Sequence, residues 1–133
     1  MLLKNRGHST LNSRAPNLKT EILERRKIKI YTLDTVVNNQ GLANLSSIGL
    51  KIDVEGAELD VLKGSLQTLL KCKFVILEVS IKKLYKGGYS FAEIIAFMDE
   101  QGFAILDILN PTGRTPSFFD CLFVPKTSSI LEI

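Results

Sequence analysis

Apolar positions along this chain fall into runs with two different periods. Lys27 to Leu33 (KIKIYTL) alternates, with Ile28, Ile30 and Thr32 opposite Lys27, Lys29, Tyr31 and Leu33, which predicts a half-exposed strand near a sheet edge. Residues 34 to 47 open as a short helix after Asp34, then fill with Asn, Gln, Gly and Ser and become a connector. Leu50 to Glu55 alternates again, placing Leu50, Ile52 and Val54 on one face and Lys51, Asp53 and Glu55 on the other. From Ala57 onward Leu59, Leu62, Leu66, Leu69 and Leu70 recur at three- and four-residue steps, the stripe of a single amphipathic helix ending near Lys71.

Phe74 to Val79 (FVILEV) is unbroken, apolar and rich in branched side chains, as expected of a central strand covered on both faces. Ser90 and Glu93 form a capping box, flanked by Tyr89 and Ile94 at staple positions, so a helix should run to Gln101 with Gly102 as its left-handed terminus. Phe103 to Leu109 and Phe119 to Val124 then read as strands joined through a turn at Asn110-Pro111-Thr112-Gly113. Strands alternating with helices predict an α/β fold with a mostly parallel sheet, and the closing pair predicts an antiparallel C-terminal edge.

Composition changes this picture little. With 133 residues, 45% of them hydrophobic, the chain can bury one modest core. Charge is more uneven: residues 1 to 29 hold eight Lys or Arg against Glu21 and Glu24, a net +6 in a chain whose total is +3. That segment has no aromatic residue for base stacking and only scattered apolar ones, so it reads as a partly disordered basic leader over 1–26, not as a nucleic-acid or membrane ligand. A domain over 27–126 and a tail over 127–133 complete the division. Cys72 and Cys121 lie in or beside apolar runs and are expected as reduced core residues, which together with the lack of a membrane span or signal sequence favours a cytoplasmic protein.

Candidate chemistry gathers where a strand meets a helix. In open α/β sheets ligands bind beyond the carboxyl ends of the strands, and Asp53, Glu55 and Gly56 stand at such an end. Two carboxylates at a spacing of two can point at one ligand, and Gly56 lets the backbone turn; a cap or a lysine partner explains Asp53 equally well. Glu58 falls in a first helical turn, where the helix dipole favours a carboxylate by about 0.3 to 1 kcal/mol without any ligand. Glu78 ends the neighbouring strand and can reach the same crevice. Asp34 is most simply an N-cap. His8, the single histidine, lies in the leader and gives a metal site little support.

The segment LKIDVEGAELDVLKG, Leu50 to Gly64, resembles the signature of FkbM-type methyltransferases. Thr32-Leu33-Asp34 upstream, FVILEV, FAEIIAFMDEQGF and DCLFVPK resemble further pieces of that family in the same order, over about residues 28 to 126. The resemblance implies a class I, Rossmann-like fold and methyl transfer from S-adenosylmethionine to a hydroxyl of a sugar, polyketide or similar small molecule. It implies Asp53 and Glu55 as the carboxylates that position that hydroxyl or take its proton, and Asp53 and Gly56 as the residues on the cofactor side. The glycine-rich loop and the acidic strand end that hold the cofactor in class I enzymes are not found in this sequence. The expectation is therefore a C-terminal part of the domain, truncated before its cofactor-loop half, with a complementing chain or a second copy as its protein partner. Two other readings stay open: a non-catalytic remnant or binding module acting through an exposed sheet edge, and Asp53, Glu55 and Glu58 as oxygen ligands for Mg²⁺ or Ca²⁺.

Overall fold

A computed structural model describes residues 2–3, 10, 22–81, 83, 85–109 and 117–131. Its elements are β1 (Leu2–Leu3), β2 (Ile22–Glu24), α1 (Leu33–Asn39), β3 (Ile48–Ile52), α2 (Glu58–Lys63), α3 (Leu66–Leu69), β4 (Cys72–Ser80), α4 (Phe91–Glu100), β5 (Phe103–Leu109) and β6 (Phe118–Pro125). Short 3-10 turns occupy Leu42–Asn44 and Ser129–Leu131.

The main sheet has the order β3-β4-β6-β5, with β3 and β4 parallel and β6 antiparallel to both of its neighbours. Three strands thus share one direction and β6 alone is reversed. The closing hairpin is antiparallel as expected, but its second strand lies inside the sheet. The α4 crossover sets β5 down two strand positions beyond β4, and β6 turns back to fill the gap.

The core lies on one side of this sheet. Ile52, Val75, Leu77, Val79, Phe119, Cys121 and Phe123 pack with Leu62, Leu69, Ile94, Met98 and Phe103 in one buried cluster. Of the last five, all but Phe103, which opens β5, come from the apolar faces of helices, and burying each large side chain contributes roughly 1.5–3 kcal/mol. The opposite side is more open than the sequence suggested. β4 is central, yet Phe74 is 41% exposed and Ile76 and Glu78 are half-buried, so only alternate residues of FVILEV are fully covered.

Two local expectations fail, each for a physical reason. Lys27 to Leu33 is not a strand: residues 25–32 form no regular element and Ile28, Ile30 and Tyr31 are exposed. Alternation predicts a strand only where a neighbour supplies the ladder, and none does so among the described residues. The leucine stripe is not one helix but two, because the chain breaks at Gly64 and Ser65. There Asp34 N–H donates to the Gly64 carbonyl at 3.0 Å, and a Cβ on Gly64 would come within 3.1 Å of Thr32, so the glycine admits the start of α1. Leu66 and Leu70 fall outside the buried face as a result. Finally, two strands that the sequence did not suggest, β1 and β2, pair antiparallel.

Other expectations hold. Ser90 and Glu93 form the reciprocal capping box of α4, and Gly102 has φ 82. Cys72 and Cys121 are buried and form no disulfide. Among the described residues no helix is long and apolar enough to cross a membrane. Most of the basic leader, and the turn at Asn110 to Gly113, lie outside the described residues.

Candidate functional site

β3 stops at Ile52, so Asp53 and Glu55 do not share a strand face as their spacing suggested. The chain instead turns through Glu55, whose φ of 53 is left-handed, and Gly56, whose φ is 96. A non-glycine residue in that region costs on the order of 1–2 kcal/mol and persists only where neighbours hold it. Here they do. Thr10 Oγ1 donates to the Glu55 carbonyl at 2.6 Å, Tyr85 Oη donates to Glu55 Oε2 at 2.6 Å, and the Gly56 amide donates to both oxygens of Glu58 at 3.1 Å.

Glu58 is therefore more than a favourable charge near a helix start. Only 2% exposed, it folds back onto the turn and also accepts from Val54 N–H at 3.3 Å. A buried carboxylate needs such donors, and the loop supplies them from its own backbone. This engagement removes Glu58 from the proposed Mg²⁺ or Ca²⁺ ligand set, and no three acidic, His or Cys side chains among the described residues are arranged to hold a metal.

Gly56 serves packing. A Cβ there would meet the Tyr85 ring at 2.2 Å, so its bare backbone makes room for Tyr85. Its amide is engaged by Glu58, and the Tyr85 ring is laid against it.

Asp53 lies just past the strand, nearly half exposed, with Lys51 Nζ 3.7 Å from its carboxylate; the same lysine stands 3.8 Å from Asp120 on β6. Asp120 pairs in register with Glu78 on β4. Glu78 thus sits in a ring of like charge. Its pKa is pushed up to about 7, first by burial and then by Asp53, Glu55, Asp120 and Glu58. The cluster spans the carboxyl ends of β3 and β4 and the start of β6, the rim where an α/β sheet presents ligands with loops and strand ends. Tyr89 stands beside it: its hydroxyl donates to the Glu78 carbonyl at 3.4 Å, and burial together with Glu58 raises its pKa so that it stays a neutral donor.

Asp34 lies elsewhere. It caps a helix, as expected, but not its own: Thr32 caps α1, while the Asp34 carboxylate accepts from Gln67 N–H at 3.0 Å, Thr68 N–H at 2.8 Å and Thr68 Oγ1 at 2.6 Å at the start of α3. Four residues at the cluster were not read as site residues in the sequence. Asp120 left a trace as the lone carboxylate of an apolar strand, and Tyr85 and Tyr89 as the aromatics of a Gly-containing loop that follows a strand. Thr10 left none.

Titratable groups concentrated beyond the strand ends of an α/β domain stand where this architecture places its ligand sites. The chain belongs to the methyltransferase FkbM domain family, whose model matches residues 2–105. A 2-O-methyltransferase, NoeI, from Sinorhizobium fredii is 40% identical over 68 residues, which are 51% of this chain and 27% of that protein, so the chain spans about a quarter of that relative. The crystal structure of an M1.HpyAVI–SAM complex superposes with a TM-score of 0.45 at 17% identity, covering 77% of this chain and 55% of that one.

Proposed function

We propose that the carboxylate cluster forms part of a site for S-adenosylmethionine-dependent O-methyl transfer to a hydroxyl of a small molecule. The observation that carries the reading is Glu78, a half-buried carboxyl with a pKa of about 7 among Asp53, Glu55 and Asp120. A general base works best when its pKa lies near the operating pH, and on that ground Glu78, rather than Asp53 or Glu55, is given the role of base.

When bound, the cofactor supplies a sulfonium methyl and leaves as a neutral thioether. The chain's own residues do the rest. Asp53, exposed at the rim, accepts a hydrogen bond from the incoming hydroxyl or from the ammonium and ribose hydroxyls of the cofactor; carboxylates suit both, since each offers protons and one is cationic. Glu55 contributes a second carboxylate in a fixed direction. Glu78 receives the hydroxyl proton as the new O–CH₃ bond forms. The 2-O-methyltransferase named above supports an oxygen acceptor.

The test is calorimetric titration of the chain with S-adenosylmethionine. Saturable binding that Asp53→Asn weakens supports the reading; binding that the substitution leaves unchanged removes Asp53 from the site.

A second reading, a binding module, is favoured by one observation: among the described residues β3 has a neighbouring strand on one side only. Parallel strands are ordinarily flanked and covered, so its other side suits a further strand from a complementing chain or a second copy. A monomer in light scattering across a wide concentration range, with no change on adding an upstream family segment, would remove it.

A further inference from the structure

We propose that Tyr85 is a positioning residue that fixes the direction of the Glu55 carboxylate, an inference that rests on the methyl-transfer reading for its catalytic consequence but not for its geometry. The phenol hydroxyl lies 2.6 Å from Glu55 Oε2, at the short, charge-assisted end of O–H···O⁻ distances. A glutamate on a turn ordinarily samples several rotamers, and ordering it has an entropic cost. This one is held at both ends. Its left-handed backbone is pinned by Thr10 on the carbonyl and by Glu58 on the next amide, while Tyr85 holds the carboxylate.

Tyr85 itself has no room to swing. It is 6% exposed, and its ring lies where the Cβ of any residue other than glycine at position 56 would stand. Packing of that ring accounts for an aromatic residue here, but phenylalanine would pack as well. The hydroxyl is what the packing does not explain, and the carboxylate it meets is one of those that raise the pKa of Glu78. Tyr85 therefore sets where one negative charge lies relative to the proposed base.

Tyr85→Phe in the full chain isolates the hydroxyl. With ¹³C-labelled glutamate, the Glu55 carboxyl resonance should shift and broaden in the variant, and the pH titration of the Glu78 resonance should move with it, while Glu93, distant in the α4 cap, stays unchanged. Unmoved Glu55 and Glu78 signals overturn the positioning role whether or not the chain transfers methyl groups. In turnover of S-adenosylmethionine with a panel of simple sugars, Tyr85→Phe should lower kcat about 10- to 100-fold, the range that small misplacements of reacting groups produce, at a nearly constant KM for the cofactor. A Glu55→Gln loss without a Tyr85→Phe loss would overturn the proposal and leave the function standing. Moved resonances with full activity in both variants would instead show that the geometry is right and that Glu55 has no part in the reaction.

Discussion

Both oxygens of the Glu58 carboxylate lie 3.1 Å from the amide nitrogen of Gly56, so the first residue of α2 secures the turn that precedes it. The site loop is built inward from this contact, with Tyr85 and Thr10 closing on its other sides.

Removing that carboxylate leaves the buried amide without this acceptor. Glu58→Ala should lower stability by about 1–3 kcal/mol, the usual cost of a stranded buried polar group, and Glu58→Gln by less because an amide oxygen still accepts. Urea unfolding of the two variants measures the difference; equal losses would show that packing, not the hydrogen bond, holds the turn.

Glycines with positive φ give a graded comparison. Gly56→Ala meets the Tyr85 ring at 2.2 Å in addition to left-handed strain, whereas Gly102→Ala at φ 82 meets nothing within 4 Å. The second should cost about 1 kcal/mol from backbone strain alone, and the first at least 1–3 kcal/mol more from overpacking. Thermal melts of both variants are sufficient to rank them.

Asp34 and Thr68 join α1 to α3 across the break in the leucine stripe. Asp34→Ala should destabilise the chain by about 0.5–2 kcal/mol, as for other lost helix caps. Burial alone would raise the Asp34 pKa, but the hydrogen bonds from Thr68 and Gln67 and the charge of Lys71 hold it below the ordinary value. A lowered pKa gives stability that is present above the unfolded value and lost as pH falls through the folded one, so the gap between wild type and Asp34→Ala should close on acidification.

Glu78 has the opposite sign. With its folded pKa near 7 against an ordinary 4.5, the folded chain binds the proton more tightly than the unfolded one. Its unfavourable ionisation therefore lowers stability as pH rises from about 4.5 to 7. Allowing for solvent screening of a half-exposed group, the effect is on the order of 1 kcal/mol. Glu78→Gln should abolish that slope, and melting temperatures across pH 4 to 8 provide the measurement.

Strands β3 to β6 and helix α4 were legible because each carries its own local instruction: period-two alternation, an unbroken apolar run, or the Ser90–Glu93 box. What the sequence hid depends on partners. KIKIYTL alternates but meets no ladder among the described residues, and the Leu59 to Leu70 stripe continues past Gly64, where Asp34, 30 residues upstream, makes the break stable. The site was legible to the same degree. Asp53 and Glu55 were candidates from their place at a strand end, but the setting of Glu78 became visible only with Asp120 and Glu55 around it, and that of Tyr85 only through the space above Gly56.

The central claim, that this cluster acts in methyl transfer, is tested most directly at Glu78. Single-turnover transfer of label from methyl-labelled S-adenosylmethionine to a hydroxyl acceptor should follow an ionisation near pH 7 in the wild-type chain, and Glu78→Gln should fall about 100-fold or more, as for the loss of a general base. A Glu78→Gln chain that transfers the methyl group at the wild-type rate, with the same pH profile, would contradict it.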